Sequence, residues 1–182
     1  MADEKPLRAD ARRNREAIIA AARSVFEHDE QLRFDDFAAR AGVGVGTLYR
    51  HFPTREALAA AVYRGEVDAL CERGRASSLP PAEALEAFLR AFVDYVLEHA
   101  PLARTLAGIV DEAARAEGGS ELERTLTDLM SRGVADGTIR DDVSARAVMM
   151  ALHGIGAAAD GPRRAPDARE VASLLARGLR VA

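Results

Sequence analysis

The chain has 182 residues and a net charge of −4, from 25 basic and 29 acidic side chains, so it has room for one domain or two small ones. Thirty-eight residues are Ala against 13 Val and 5 Ile, which favours closely packed helices and works against a β-sandwich or a doubly wound sheet. At face value the acidic balance also argues against a nucleic-acid partner, because affinity for a phosphate backbone comes mainly from Lys and Arg.

In chain order, a polar arm leads into a helix over 12–27, with Ile18, Ile19, Ala22, Val25 and Phe26 at helical spacing. Phe34, Phe37, Ala38 and Ala41 predict a short helix over 33–41, closed by Gly42 in the left-handed position. Leu48 and Phe52 predict a second short helix over 45–52, stopped by Pro53. Thr54 then caps a longer helix with Leu58, Val62, Val67, Leu70 and Cys71 on one face, ending at Gly74. The breakers of 74–81 (GRASSLPP) form a connector. Beyond it, 82–99 carries a wide apolar stripe, and 102–116 follows Pro101 and ends at Gly118-Gly119. Ser120 and Glu123 read as a capping box for a helix reaching Val134. The last two helices run from Asp142 or Ser144 to about Ala159, and over 167–180 after Pro166. The expectation is an all-α protein of about nine helices.

The stretch 37–55, FAARAGVGVGTLYRHFPTR, carries the chemistry. Two short helices joined by a tight Gly-containing turn are helix-turn-helix geometry, in which the second helix offers its N-terminal and outer residues to a major groove. Here those are Val45, Gly46, Thr47, Arg50 and His51. Thr47 suits a base edge or a thymine methyl, and Arg50 suits a guanine or a phosphate. Tyr49 and His51 present polar tips to phosphate oxygens, the alternative for Tyr49 being to pack against the first helix. Arg55 lies beside Thr54 at the start of a helix, where amides and the dipole favour an anion. Arg12, Arg13 and Arg15 are either a solvated face or an arm that touches the DNA backbone.

The segment AGVGVGTLYRHFPTREAL resembles the signature of the tetracycline-repressor (TetR) family of bacterial transcriptional regulators. The resemblance is close over about 12–63; the rest is similar in helical layout and length. It implies a homodimer with an N-terminal three-helix DNA-binding unit and a divergent C-terminal domain for ligand binding and dimerisation. It also places Gly46 and Thr47 against bases, and Tyr49, His51, Thr54 and Arg55 along phosphates. Two positions depart from the family pattern: Gly44 stands where a capping Ser is usual, and Val45 where Lys is common. The Ser or Thr that usually caps the preceding helix is replaced by Arg33 or shifted by a shorter loop, and Arg33 is a further candidate phosphate contact.

These readings divide the chain into a DNA-binding domain (1–53) and a ligand-binding and dimerisation domain (54–182), with helix 54–73 connecting them. Val148, Leu152 and Ile155 with Leu174, Leu175 and Leu179 supply seams for a four-helix dimer interface, where Gly154 and Gly156 permit close approach. Phe88, Phe92 and Tyr95 form one candidate wall of a ligand pocket, with Leu106, Ile109, Met130, Met149 and His153 opposite, although a Phe stripe at helical spacing is more often core than a binding wall.

An enzyme is the rival class, but the sequence holds no Gly-rich phosphate loop, HExxH or nucleophile elbow. His28, His51, His99 and His153 lack metal-ligand spacing, so no metal or cofactor is implied. The single cysteine, Cys71, forms no internal disulfide and reads as a small buried hydrophobe. With a charged N-terminus and no long apolar stretch, the expected location is the cytoplasm. The expected function is a dimeric repressor released from a palindromic operator by a small molecule; an activator, or a helical interaction protein that does not bind DNA, are the alternatives. The charge objection weakens on division: residues 1–55 carry +1 and residues 56–182 carry −5, while residues 5–15 hold five basic groups against one acidic.

Overall fold

The computed structural model describes residues 4–28, 30, 32–157 and 164–181. Among them are nine α-helices: α1 Glu4–Glu27, α2 Asp36–Arg40, α3 Val45–His51, α4 Arg55–Arg75, α5 Pro81–Glu98, α6 Ala100–Ile109, α7 Glu112–Ala135, α8 Ala145–Ala157 and α9 Arg164–Gly178. This is the all-α class expected from the composition. The chain forms two compact units, Met1–Gly65 with Pro101–Arg115, and Glu66–Ala100 with Ala116–Ala182.

The first unit is organised by aromatic and branched residues at helical spacing. Ile18, Ala22, Val25 and Phe26 of α1 are buried with Phe37 and Ala38 of α2, Leu48 of α3 and Leu58 and Val62 of α4. Leu102, Leu106 and Val110 complete the same core. The rings of Phe26 and Phe37 meet at 5.6 Å between centroids, tilted by 51°. α1 begins at Glu4 rather than Arg12. Over 10–16 the helix is laced by Arg13–Asp10 and Arg12–Glu16 pairs one turn apart, which favours helix over an extended arm.

α2 ends as its sequence predicts. Gly42 has φ 68°, the Gly42 N–H donates to Ala39 O at 3.1 Å, and the Val43 N–H donates to Ala38 O at 2.9 Å. This paired C-terminal closure turns the chain sharply and positions α3. Gly44, with an extended backbone, precedes α3 without a side-chain cap. At α4, Thr54 Oγ1 accepts from the Ala57 N–H at 3.2 Å, and the Glu56 carboxyl is held below the ordinary range by its own backbone N–H and by Thr54.

In the second unit α5 packs against both α8 and α9, and α8 against α9. Leu85, Phe88, Leu89, Phe92 and Val93 of α5 are buried with Val148, Met149 and Leu152 of α8 and Ala168, Ala172 and Ala176 of α9. Gly74 was expected to end a helix; it lies inside α4, and a Cβ there would stand 2.8 Å from the Phe88 ring, so the glycine permits close approach. The segment after α7 turns at Gly137 (φ 76°) and pairs with the C-terminus. The Arg140 N–H donates to Leu179 O at 2.9 Å, and the Val181 N–H donates to Thr138 O at 3.1 Å.

A further boundary differs from expectation. The helix starting near Pro101 ends at Ile109, and α7 runs unbroken through Gly118-Gly119. Asp111 is the cap, its Oδ1 accepting from the Ala114 N–H at 2.8 Å. Ser120 is therefore no cap; its hydroxyl donates to Ala116 O inside α7 at 2.9 Å. Each helical glycine costs about 1 kcal/mol relative to Ala, a penalty offset by burial of Leu122, Leu126, Leu129 and Met130 on the same helix. Pro166 falls in the first turn of α9, where a missing N–H is tolerated. Ala158, Ala159 and the DGP segment lie outside the described residues. Among the described residues no helix is long and apolar enough to cross a membrane.

Candidate nucleic-acid interface

The interface is built on α3, whose Leu48 is fully buried and fixes the helix against α1 and α2. The opposite face is open: Val45 is 46% and Tyr49 45% exposed, and Gly46 and Arg50 are exposed beside them. A Cβ added at Gly46 would meet nothing within 4 Å. Thr47 and His51 are half-buried on the flanks. Val45, Gly46, Tyr49 and Arg50 thus form one outward stripe at i, i+1, i+4 and i+5.

Tyr49 is held from α2's side. Its hydroxyl donates to Asp35 Oδ1 at 2.8 Å, and its ring meets Phe34 edge-on at 5.3 Å. The hydrogen bond to Asp35 raises the phenol above its ordinary pKa, while Arg33 nearby acts in the opposite direction. Arg33 itself is exposed.

Arg55 is engaged inside the protein. Its Nη1 donates to Leu32 O at 2.7 Å, and its guanidinium carbon stands 5.2 Å from the Phe37 centroid and 5.5 Å from that of Phe26. Arg12 pairs with Glu16 at 3.6 Å and Arg13 with Asp10, all four side chains being mostly exposed. Thr54 is exposed at the α4 start. The links Tyr49–Asp35 and Arg55–Leu32 had no sequence signal, since they join residues 14 and 23 positions apart without periodicity.

The residues expected at a ligand pocket are scattered. Leu106 is buried in the core of the first unit and Ile109 packs against it. In the second unit Phe88, Phe92, Met130 and Met149 are buried, and Tyr95 is half-buried. His153 is exposed, with Nδ1 2.9 Å from Met149 O and its ring edge-on to Phe92 at 6.0 Å. An open groove of about 560 Å³ runs along α7 and the start of α8; it takes in Met130 with Val134, Val143, Ser144, Ala145 and Arg146. Of the expected interface residues, Val148, Leu152 and Leu179 are buried within the protomer, Ile155 and Leu175 are half-buried, and Leu174 is 54% exposed. Among the described residues no group of three His, Cys, Asp or Glu side chains is placed to hold a metal. Cys71 is buried, and burial raises its thiol above the ordinary pKa.

A short helix displayed across a Gly-closed turn in an all-α chain is helix-turn-helix geometry. Comparison with known proteins gives the family. The model for bacterial regulatory proteins of the tetR family matches residues 18–62, and the model for the C-terminal domain of SbtR-like transcriptional regulators matches residues 80–181. The chain belongs to the TetR family of transcriptional regulators. Its fold matches the crystal structure of the TetR transcriptional regulator SCO0520 from Streptomyces coelicolor, with a TM-score of 0.71 and 38% identity over 91% of this chain and 98% of that one. A TetR regulatory protein from Mycobacterium vanbaalenii is similar at 32% identity and a TM-score of 0.73, covering 97% of this chain and 100% of that one.

Among curated proteins, the chain is 35% identical to the HTH-type transcriptional regulator SAR0097 of Staphylococcus aureus over 69 residues, which span 36% of each protein. It is 27% identical to the HTH-type transcriptional repressor KstR of Mycobacterium tuberculosis over 148 residues, 76% of this chain and 67% of that one.

Proposed function

We propose that this regulator is a homodimeric repressor that reads a pseudo-palindromic operator in the major groove through α3 and is released by a small molecule acting on its second domain. The observation that carries the reading is the outward stripe of Val45, Gly46, Tyr49 and Arg50 on a helix whose inner face is locked by Leu48. In this reading residues 1–53 are the DNA reader and 54–182 the effector-binding and dimerisation domain. Gly46 and Thr47 approach bases with Val45 beside them, and Arg50 reaches a base or a phosphate. Tyr49, His51, Thr54 and Arg33 lie along the phosphate backbone, with Arg12 and Arg13 as outlying contacts. Arg55 serves the same surface by holding the segment before α2.

Dimerisation is supported by an exposed stripe on α8, Ala147, Met150, Ala151 and Gly154, beside Val171 and Leu174 on α9. Met150 is 70% exposed and Leu174 54%, a costly pattern unless a second copy covers it. Repression is supported by the likeness to KstR. The test is a gel shift with the gene's own upstream region, alongside a solution mass. A dimer that retards a specific fragment supports the reading. A stable dimer that shifts no fragment supports the interaction-protein alternative instead.

A further inference from the structure

We propose that Arg15 is a preorganised DNA-phosphate contact of the reading head, held in place by the ring of Phe52. The proposal rests on the DNA-binding reading above and refines it. Arg15 is an exposed residue of α1, and its guanidinium carbon stands 5.1 Å from the centroid of the Phe52 ring. Phe52 closes the C-terminus of α3 and is itself only 3% exposed, so it is a fixed platform directly attached to the recognition helix.

The other cations around the reading head are engaged in ways that matter for phosphate binding. Arg12 and Arg13 face Glu16 and Asp10, Arg23 pairs with Glu27 at 3.5 Å, and Arg40 grips Glu30 through two bonds of 3.1 and 2.7 Å. Arg55 donates to the Leu32 carbonyl. Among the described residues of this region, Arg15, Arg33 and Arg50 have no carboxylate partner. A cation already neutralised by a carboxylate releases fewer counterions on meeting DNA, because its own partner must first be displaced.

Arg15 differs from Arg33 and Arg50 in how it is held. An aromatic face attracts the guanidinium through its quadrupole without cancelling its charge. Held at this distance from the ring, the guanidinium keeps its N–H donors for an anion and has fewer rotamers left to lose on binding. α1 thereby contributes a phosphate contact at the C-terminal end of α3, while the base-facing residues lie towards its N-terminal end.

The probes are a 30-base-pair duplex of mixed sequence and a duplex from the gene's own upstream region, titrated by fluorescence anisotropy across about 50 to 200 mM KCl. Arg15→Met covers the Phe52 ring without charge. It is expected to lower affinity several-fold at low salt and to reduce the slope of log K against log[salt] by about 0.9 for each reading head bound, with the melting temperature unchanged. Arg15→Lys is expected to keep the slope but bind more weakly, having the charge without the plane. The double variant Arg12→Gln, Arg13→Gln is expected to change the slope less than Arg15→Met alone. If Arg15→Met melts below the titration temperature, Arg15→Gln takes its place with the same expectation. A wild-type slope in the uncharged variant, whatever its melting temperature, makes Arg15 a mere cover for the ring and overturns the proposal. So does a larger slope loss in the double variant. Failure of the wild-type protein to bind either duplex overturns the DNA-binding reading itself, and this proposal with it.

Discussion

Arg55 Nη1 donates to the Leu32 carbonyl at 2.7 Å, so the first residue of α4 is tied to the main chain just ahead of α2. The same guanidinium lies against the rings of Phe37 and Phe26, which belong to α2 and α1. One side chain therefore links three of the helices that set the attitude of α3. Arg55→Ala removes a charged hydrogen bond and two ring contacts, at a cost of about 2–3 kcal/mol. For a chain of this size that corresponds to a melting-temperature loss of roughly 4–10 °C. Arg55→Lys is expected to recover less than half of the loss, because a compact ammonium lacks the guanidinium's planar face and its spread of donors. Thermal melts followed by circular dichroism check both variants.

Gly46 separates folding from reading. It lies in a helix, and open space surrounds the position that a Cβ would take there. Gly46→Ala is therefore expected to leave the fold intact and to raise stability by about 0.5–1 kcal/mol. If the α3 backbone approaches bases at this point, the same methyl weakens operator binding by tenfold or more. Melting and operator titration of one variant then move in opposite directions.

Asp35 is a negative group beside a surface proposed to meet phosphates, and it holds the Tyr49 hydroxyl. Asp35→Asn is expected to tighten DNA binding two- to five-fold at low salt, with the difference fading as salt screens the removed charge. Tyr49→Phe is expected to weaken binding if the hydroxyl exchanges Asp35 for a phosphate. An anisotropy titration at two salt concentrations distinguishes this exchange from a purely structural bond, for which Tyr49→Phe leaves affinity unchanged.

The exposed face of α8 and α9 makes a prediction about assembly. Met150→Asp combined with Leu174→Asp introduces charges at positions 70% and 54% exposed in the protomer, so the helices should persist while the proposed dimer dissociates. Light scattering after size exclusion reads the mass, and circular dichroism reads the helix content. Leu152→Ala is the contrasting variant: at 0% exposure it should cost about 2–5 kcal/mol of stability while the dimer mass is kept.

The fold is legible in the sequence wherever its information is local. The apolar period of α1, the Gly42 turn after α2 and the Thr54 cap of α4 depend on neighbours within a turn or two, so residue spacing encodes them. Gly118-Gly119 misled because a strong local breaker was outweighed by the Asp111 cap and by the burial that α7 gains from Leu122 onward. On α3 the exposure of Val45, Gly46 and Arg50 was legible from the helix period once Leu48 and Phe52 were taken as core, whereas Thr47 and His51, expected outward as well, are half-buried and Tyr49 is exposed. The inward engagement of Arg55 was not legible, because its partner Leu32 lies 23 residues away and no spacing encodes that contact.

From composition and pattern alone came the helical class, the helix-turn-helix and the concentration of acidity in residues 56–182. These follow from propensity, period and charge, which are properties of a segment and its immediate neighbours. Packing decided that Arg40 meets Glu30 and that Arg55 holds the frame, and it placed Val148, Leu152 and Leu179 inside the protomer while leaving Met150, Val171 and Leu174 on its surface. Those outcomes depend on contacts between residues far apart in the chain, and a hydrogen bond or ring contact of that kind exists only once the helices have been brought together.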